Sequence, residues 1–257
     1  MRASASRLES ALRRPGELAL VPYLMAGFPS LAASARAGRR LAASGAAAVE
    51  VGIPFSDPLA DGPVIQGAGD AALRQGVTLS DCLGVAAEIA AEGPPVALMG
   101  YVNPILARGA RRFAREAAAA GVSGVIVPDL PPEEAGEVAE AIREEGMDTV
   151  FLVAPTSTPA RLRLCCEAAS GFVYCVTLTG ITGVRRELPP GLDGLLERVR
   201  AVSRLPVAAG FGISRPEHMR ALRGLADAAV VGSAFVREVG EGRDPARLAE
   251  ELLKECR

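Results

Sequence analysis

The sequence predicts an α/β protein in which eight parallel strands close into a (β/α)8 barrel, also called a TIM barrel. Short apolar runs typical of strands alternate with helical segments about eight times along the chain, and such alternation indicates a parallel sheet with crossover helices. The runs are apolar throughout, as expected of strands covered on both faces. A length of 257 residues suits one closed barrel of this kind. A doubly wound open sheet is the alternative that this pattern leaves open.

The first half of the chain begins with a short amphipathic helix and continues with four predicted strands. Leu8 and Leu12 stand four residues apart, so they share one face of that extra N-terminal helix. The predicted strands are apolar runs bounded by turn residues, at residues 18–25, 47–52, 96–101 and 124–127. Helical periodicity predicts helices at residues 31–44, 64–74, 79–92 and 110–120.

The second half repeats the pattern with four more strands. These are expected at residues 149–153, 172–178, 207–210 and 228–231. The predicted helices lie at residues 133–145, 160–169 and 215–225, and another helix opens at Ser233. Gly and Pro residues are dispersed as turn residues and are not gathered in a linker. Residues 1–257 are therefore predicted to form a single barrel domain.

The longest interval between strands separates the second strand from the third. It holds a Pro- and Gly-rich loop, FSDPLADGP, at residues 55–63 and the extra helix at 64–74. A long loop after a barrel strand belongs at the C-terminal face of the barrel, where the active sites of such barrels lie. We therefore expect the active site beside this loop.

Composition excludes several classes of function. The net charge is −2 and no basic block occurs, so nothing indicates binding to nucleic acid or to an anionic membrane surface. No stretch approaches the roughly 18 consecutive apolar residues of a membrane span, and the N-terminus lacks the apolar core of a secretory signal. Five cysteines, with Cys165 and Cys166 adjacent, fit reduced thiols better than a disulfide framework. The predicted location is the cytoplasm.

Two residue types are so rare that they restrict the chemistry. His218 is the only histidine and Lys254 is the only lysine. A metal site built from several histidines is impossible, and a Schiff-base lysine in the core is excluded by the position of Lys254 near the C-terminus. No metal site is predicted. Asp, Glu, Tyr and Cys remain as acid–base groups.

Three carboxylates surround the end of the second strand. Glu50 lies within the strand, whereas Asp57 and Asp61 follow it on the loop. Burial should raise the pKa of Glu50, while the loop carboxylates stay ionised. Carboxylates in unlike environments are suited to acid–base catalysis. The alternative is a structural Glu50 satisfied by a backbone amide or an arginine.

Glycine-rich turns follow the last three strands and predict a phosphate site. Backbone amides in such turns can approach an anion closely, and a helix N-terminus adds a favourable dipole. Barrels often hold phosphate in the loops after strands seven and eight. Alternatively, these glycines simply end strands. The candidate phosphate-binding residues are Thr182, Gly183, Gly212, Gly232 and Ser233.

Apolar and aromatic residues near the C-terminal ends of the strands predict a flat pocket against which a ring can stack. Phe211 is a candidate lid over it, and barrel filling is the alternative role for the set. Asp129 is expected to cap a helix or to orient its loop. The pocket candidates are Tyr23, Met99, Tyr101, Leu130 and Tyr174.

Residues 49–66, VEVGIPFSDPLADGPVIQ, closely resemble the signature of tryptophan synthase alpha chains. Further matching blocks follow in the order of that family and cover most of the chain, at residues 99–104, 128–131, 178–183, 210–214 and 231–234. The resemblance implies a (β/α)8 barrel that cleaves indole-3-glycerol phosphate into indole and glyceraldehyde 3-phosphate. This is a retro-aldol reaction of tryptophan biosynthesis.

The resemblance also implies roles for individual residues. Glu50 and Asp61 match the two catalytic carboxylates of the family, Tyr174 an aromatic residue beside them, and Tyr23 a wall of the indole pocket. Thr182 matches the threonine of a mobile loop. Met25 and Phe28 differ from the residues that the family more usually has at these positions. These differences concern the rim of the pocket and leave the implied chemistry unchanged. The family's phosphate-binding turns are matched by Gly183, Gly212, Gly232 and Ser233.

The chemistry implied by the resemblance agrees with the composition. Once C3 is protonated, an indole ring acts as its own electron sink, so neither a Schiff base nor a metal is required. In the family, a beta chain that carries pyridoxal phosphate covers the C-terminal end of the barrel in an α2β2 heterotetramer. No cofactor is expected in this chain. That end is expected to present the loops at residues 57–63, 101–104, 128–132 and 179–185.

Three alternatives to this function remain open from the sequence. The chain could release indole as a stand-alone lyase, or it could be another phosphate-binding barrel enzyme, such as a phosphosugar isomerase. It could also be a regulatory subunit that binds ligand without turnover, although paired carboxylates argue against that role.

Overall fold

Eight parallel strands form a closed barrel in the order β1 to β8. The computed structural model describes residues 5–176, 191–210 and 212–257. Strand β1 pairs with β8 as well as with β2, so the sheet closes on itself and the open-sheet alternative is wrong. The prediction of a (β/α)8 barrel is confirmed.

All eight predicted strands are present. Strand β3 ends two residues before Tyr101, which the sequence had placed on the strand, and β4 begins two residues earlier than predicted. The strands are β1 (Ala19–Met25), β2 (Val49–Gly52), β3 (Val96–Met99), β4 (Val122–Ile126), β5 (Asp148–Val153), β6 (Val173–Val176), β7 (Val207–Gly210) and β8 (Ala228–Val231).

Helices connect the strands on the outside of the barrel. Both extra helices predicted from the sequence, α1 and α3, are present. The helices within the described residues are α1 (Arg7–Leu12), α2 (Leu31–Ala43), α3 (Pro63–Arg74), α4 (Leu79–Ala90), α5 (Val102–Arg108), α6 (Ala110–Ala119), α7 (Gly136–Glu144), α8 (Pro159–Ala168), α9 (Leu192–Arg200), α10 (Pro216–Leu222), α11 (Ser233–Gly240) and α12 (Pro245–Leu253). Within the described ranges, no helix is long and apolar enough to cross a membrane.

Helices α5, α9 and α12 were not among the predicted helices, α10 ends three residues earlier than predicted, and α7 begins three residues later. Helix α5 begins at Val102, where a loop had been expected. Its first amide is satisfied by a carboxylate from the next loop, a contact that the local sequence does not reveal. Helix α7 begins at Gly136 rather than at residue 133, because the amide of Glu134 bonds to the carbonyl of Pro131 in a turn.

The barrel interior is filled from alternate strand positions and closed at its N-terminal end by α1. Leu8 and Leu12 of α1 are fully buried in the same apolar cluster as the inward-facing residues of the strands. Ser6, the N-cap of α1, donates a hydrogen bond to Asp148 on β5. Gly124 leaves room for Leu8, because a Cβ there would lie 2.5 Å from its Cδ1. The C-terminal end is therefore the end at which a ligand can enter.

Candidate active site

Glu50 is a carboxyl group buried in the barrel. It lies in the middle of β2, paired in register with Tyr23 on β1 and Ala97 on β3, and it is 1% exposed. Neither Oε1 nor Oε2 has a hydrogen-bond partner within the described residues. Burial, with a smaller contribution from the charge of Asp61, raises the pKa of Glu50 to about 8. A purely structural role for Glu50 required a backbone amide or an arginine as hydrogen-bond partner, and the described residues supply neither.

Asp61 lies on the loop between β2 and α3 and is held at several atoms. Its Oδ2 accepts a hydrogen bond of 3.2 Å from the hydroxyl of Tyr101. Its carbonyl oxygen and that of Pro58 both accept from Nε2 of Gln66, at 2.9 and 3.2 Å. The other carboxylate oxygen, Oδ1, is buried without a partner among the described residues. One oxygen is thus fixed by the protein and the other is available to a ligand.

The environments of the two carboxyl groups separate their protonation states. Burial raises the pKa of Asp61 to about 6, and the hydrogen bond from Tyr101 limits the rise. At neutral pH Glu50 is therefore protonated and Asp61 is ionised. The raised pKa of Glu50 agrees with the prediction from the sequence, whereas the burial that raises the pKa of Asp61 was not predicted. Asp57, the other carboxylate on the loop, is exposed. The pair can act as an acid and a base at the same pH.

Tyr23 and Tyr174 line the barrel beside Glu50. Both are buried, and burial together with the charges of the two carboxylates raises the pKa of each hydroxyl well above its usual value. The ring of Tyr23 lies over Gly52 of β2, where a Cβ would be 2.0 Å from the hydroxyl oxygen. Both hydroxyls therefore stay protonated, and that of Tyr23 donates to Sδ of Met25 at 4.0 Å.

Other apolar residues complete the lining of the C-terminal half of the barrel. Met99 is buried at the end of β3 and packs in the same cluster as the tyrosines. Met25 on β1, which the sequence placed at the pocket rim, belongs to the same cluster. Sequence reasoning missed three further members of this lining, although the two-residue alternation along each strand pointed to two of them. These are Ile65 on α3, Ile126 on β4 and Leu152 on β5.

Leu130 is placed differently from the other pocket candidates. It packs against both clusters that join the outside of the barrel to the helices. It also lines a cavity of about 210 Å³ with Phe151, Arg161 and Cys165. The structure therefore separates Leu130 from the residues that surround Glu50. Its position four residues beyond the end of β4 gave no alternation from which its direction could be read.

The predicted phosphate turns are described in part. Helix α11 begins at Ser233, and its N-cap Gly232 makes no side-chain capping bond, so the first amides of the helix are available to an anion. Gly232 adjoins the pocket, since a Cβ there would lie 3.7 Å from Cβ of Tyr23. Gly212 is exposed with a φ of +80°. Thr182, Gly183 and Phe211 lie outside the described residues.

The loops after β2, β3 and β4 are connected at the C-terminal end of the barrel. The amide of Ala60 donates to the hydroxyl of Tyr101 at 2.9 Å. Oδ1 of Asp129 accepts a hydrogen bond of 3.0 Å from the backbone amide of Val102, which is the first residue of α5. Asp129 thus caps a helix, as predicted. In the described parts of the chain, no group of three or more His, Cys, Asp or Glu residues could hold a metal ion.

Residues 10–257 match the family model described as "Tryptophan synthase alpha chain". The chain belongs to the tryptophan synthase alpha chain family. It is 47% identical over 244 residues to the tryptophan synthase alpha chain of Roseiflexus castenholzii, covering 93% of this chain and 94% of that protein. It is 46% identical over 235 residues to the alpha chain of Synechocystis, covering 91% and 89%.

Solved structures of tryptophan synthase show the same fold. A structure of Mycobacterium tuberculosis tryptophan synthase superposes with a TM-score of 0.93 at 41% identity, covering 99% of both chains. A structure described as the tryptophan synthase α2β2 complex of Pyrococcus furiosus superposes with a TM-score of 0.86 at 42% identity, covering 93% of this chain and 98% of that chain.

Membership of the family establishes the reaction class. Tryptophan synthase alpha chains are carbon–carbon lyases of tryptophan biosynthesis that cleave indole-3-glycerol phosphate. The recognition of the family and of the reaction from residues 49–66 is therefore confirmed.

Proposed function

We propose that Glu50, as the group that gives and takes the protons, and Asp61, as the carboxylate that stabilises positive charge, cleave indole-3-glycerol phosphate in this chain. One observation carries the proposal: both oxygens of Glu50 and Oδ1 of Asp61 are buried without partners among the described residues, in groups whose pKa values lie on either side of neutrality. Buried polar atoms without partners are costly. A substrate that pairs with them explains why they are retained.

Glu50 acts first as an acid. Its proton goes to C3 of the indole ring, and the positive charge that develops is shared with the ring nitrogen, whose N–H faces Oδ1 of Asp61. An ionised carboxylate stabilises that charge. Glu50, now a carboxylate, removes the proton from the hydroxyl group on the side-chain carbon attached to the ring. The O–H electron pair forms the aldehyde carbonyl, the carbon–carbon bond breaks, and its electrons return to the ring. Indole and glyceraldehyde 3-phosphate leave, and Glu50 has regained its proton.

The remaining residues bind the substrate. Tyr23, Met99, Tyr101 and Tyr174 surround the indole ring, and the amides at Gly212, Gly232 and Ser233 hold the phosphate together with the Ser233 hydroxyl. Support comes from the shared apolar cluster of Tyr23, Met99 and Tyr174 and from the free first turn of α11. The family resemblance adds Thr182, Gly183 and Phe211 to this set.

The C-terminal face is proposed to bind a tryptophan synthase beta chain, giving an α2β2 assembly. Leu59, on the Asp61 loop, is 92% exposed and Leu106, on α5, is 51% exposed. Both lie at that face, and large exposed apolar side chains are typical of an interface. In this proposal the beta chain carries the pyridoxal phosphate, since the only lysine of this chain, Lys254, directly follows α12. The alpha reaction itself uses acid–base groups alone.

We also propose that residues 1–257 form one domain located in the cytoplasm. The single domain is supported by the helices of both halves of the chain, which pack on one barrel. The cytoplasmic location is supported by the five cysteines, which are all free thiols, as is usual in a reducing compartment.

An indole-release assay tests the proposal. The purified chain is incubated with indole-3-glycerol phosphate, with and without a purified beta chain and serine, and indole and glyceraldehyde 3-phosphate are measured. We expect slow release by the chain alone and acceleration by the beta chain, because partner binding orders loops at the mouth of the barrel. Equal rates in both conditions would indicate a stand-alone lyase. Turnover of sugar phosphates without indole release would contradict the proposal.

A further inference from the structure

The hydroxyl of Tyr101 joins two successive residues of the active-site loop. It accepts a hydrogen bond from the backbone amide of Ala60 at 2.9 Å and donates to Oδ2 of Asp61 at 3.2 Å. Tyr101 belongs to the segment after β3, whereas the other two residues follow β2. The contact therefore spans two strands of the barrel and ties the loop to a fixed part of the wall.

The amide of Ala60 determines which way the Tyr101 hydroxyl points. A hydroxyl has one proton and two acceptor lone pairs. Because an N–H group can only donate, the lone pair of Tyr101 must face Ala60, and the hydroxyl proton is left for the carboxylate of Asp61. A hydrogen bond to an ionised carboxylate is stronger than one between neutral groups.

The ring of Tyr101 is itself fixed. The residue is 4% exposed and its ring stacks on Phe55, with centroids 5.1 Å apart and an angle of 26° between the planes. Stacked aromatic pairs of this kind resist reorientation. Phe55 comes from the same loop as Asp61, so the loop contacts Tyr101 through both its ring and its hydroxyl.

We propose that Tyr101 is a positioning residue that holds Oδ2 of Asp61, keeps that carboxylate ionised and leaves Oδ1 directed at the ring nitrogen of the substrate. The inference rests on the proposed role of Asp61. It assigns to the Tyr101 hydroxyl a task distinct from lining the indole pocket, which a phenylalanine ring would do equally well.

The charges around Asp61 make this task necessary. The ionisable groups that face it are Glu50, Tyr23, Tyr101 and Tyr174. No arginine or lysine among the described residues pairs with it, and burial favours its neutral form. Among the described residues, the Tyr101 hydrogen bond is the contact that lowers the pKa of Asp61 against that effect. Without it, a larger fraction of Asp61 would be protonated near neutral pH and unable to stabilise positive charge.

The test is Tyr101→Phe, which removes the hydroxyl and keeps the ring. The titration of Asp61 is followed by NMR of ¹³C-labelled aspartate carboxyls in the full chain, with its signal assigned by its loss in Asp61→Asn. We expect the Asp61 midpoint to rise by about one pH unit when one hydrogen bond to the carboxylate is lost. We also expect kcat for indole release at neutral pH to fall by about two- to tenfold, about twofold from the larger protonated fraction and the rest from lost positioning, with KM changed less than about twofold.

Phe55→Leu is the matched control, because it removes the ring stack and leaves the hydroxyl. Because the hydroxyl and both of its hydrogen-bond partners remain, its Asp61 midpoint should shift clearly less than in Tyr101→Phe. An unchanged midpoint in Tyr101→Phe would overturn the proposal, and so would an equal shift in Phe55→Leu, which would indicate a general packing effect. The NMR titration requires no turnover. A wild-type chain that releases no indole would therefore refute the proposed function, while the midpoints would still decide whether Tyr101 holds Asp61.

Discussion

The ring of Tyr174 on β6 lies directly over the backbone of Gly210 on β7. A Cβ at residue 210 would be 2.3 Å from Cε2 of Tyr174 and 2.5 Å from its hydroxyl oxygen, well inside van der Waals contact. The same arrangement places Tyr23 over Gly52 on the opposite side of the barrel. Two glycines at strand ends therefore make the space in which the two tyrosines flank the candidate acid, Glu50.

This relationship predicts the effect of Gly210→Ala. The added methyl group should displace the Tyr174 ring and lower kcat/KM for indole release by about tenfold or more, because positioning near the reacting atoms is disturbed. Overpacking should also lower the free energy of unfolding by about 1–3 kcal/mol. Gly84→Ala is the matched control, since nothing lies within 4 Å of a Cβ there; wild-type kcat/KM is expected. Full activity in Gly210→Ala would show that Tyr174 can move without consequence.

The pKa values of the two carboxyl groups predict a bell-shaped pH profile. Cleavage requires ionised Asp61 and protonated Glu50, so kcat/KM should fall below a pH of about 6 and above a pH of about 8. Because the groups interact, these limits describe the pair. Initial rates of indole release from pH 5 to 9.5 measure the profile. A rate that keeps rising to pH 9.5 would contradict a protonated Glu50 as the acid.

Asp61→Asn should fold normally and lose about 10²- to 10³-fold in kcat, the usual cost of removing one group that stabilises transition-state charge. An amide is of similar shape but cannot neutralise the charge on the indole nitrogen. Asp57→Asn changes an exposed carboxylate on the same loop and should leave the rate of the isolated chain unchanged. Retention of more than about a tenth of the wild-type rate in Asp61→Asn would remove Asp61 from the chemistry.

Glu50→Gln should abolish cleavage and change the pH dependence of stability. The pKa of Glu50 is raised from 4.5 to about 8 on folding. Its contribution to the free energy of unfolding is therefore fully present below pH 4.5 and is lost as the pH rises toward 8. In this range the free energy of unfolding falls by at most about 1.4 kcal/mol per pH unit, and the glutamine variant, which does not titrate there, shows no such fall.

The variant should therefore gain stability relative to wild type between pH 5 and pH 8.5, measured by urea denaturation at both values. A variant that is less stable at both pH values and still cleaves substrate would identify Glu50 as a structural carboxyl group.

Ser233→Ala should raise KM for indole-3-glycerol phosphate more than it lowers kcat. The phosphate group does not react, so the hydroxyl binds the substrate and the transition state equally. Steady-state kinetics of indole release separate the two parameters. An unchanged KM would place the phosphate away from the N-terminus of α11.

Local patterns in the sequence predicted the strands and helices of a barrel and the buried carboxyl group, but left an open sheet as an alternative. The strand at 228–231 and the helix at 64–74 were predictable because the spacing of apolar side chains is a property of residues close together in the sequence. Glu50 was recognisable because a carboxyl group in an apolar strand is costly wherever that strand lies in a sheet. The family match at residues 49–66 then selected one reaction among several that such a barrel can perform.

The contacts that make the site specific were decided only when the barrel closed. Nothing local distinguishes Asp61, half-buried beside Tyr101, from exposed Asp57, and the bond between Asp61 and Tyr101 joins residues 40 positions apart. The outward packing of Leu130 follows from how its loop meets two outer clusters. These positions depend on which strands become neighbours, a property of the whole chain, because the free energy of each long-range contact is gained only after the intervening segments have folded.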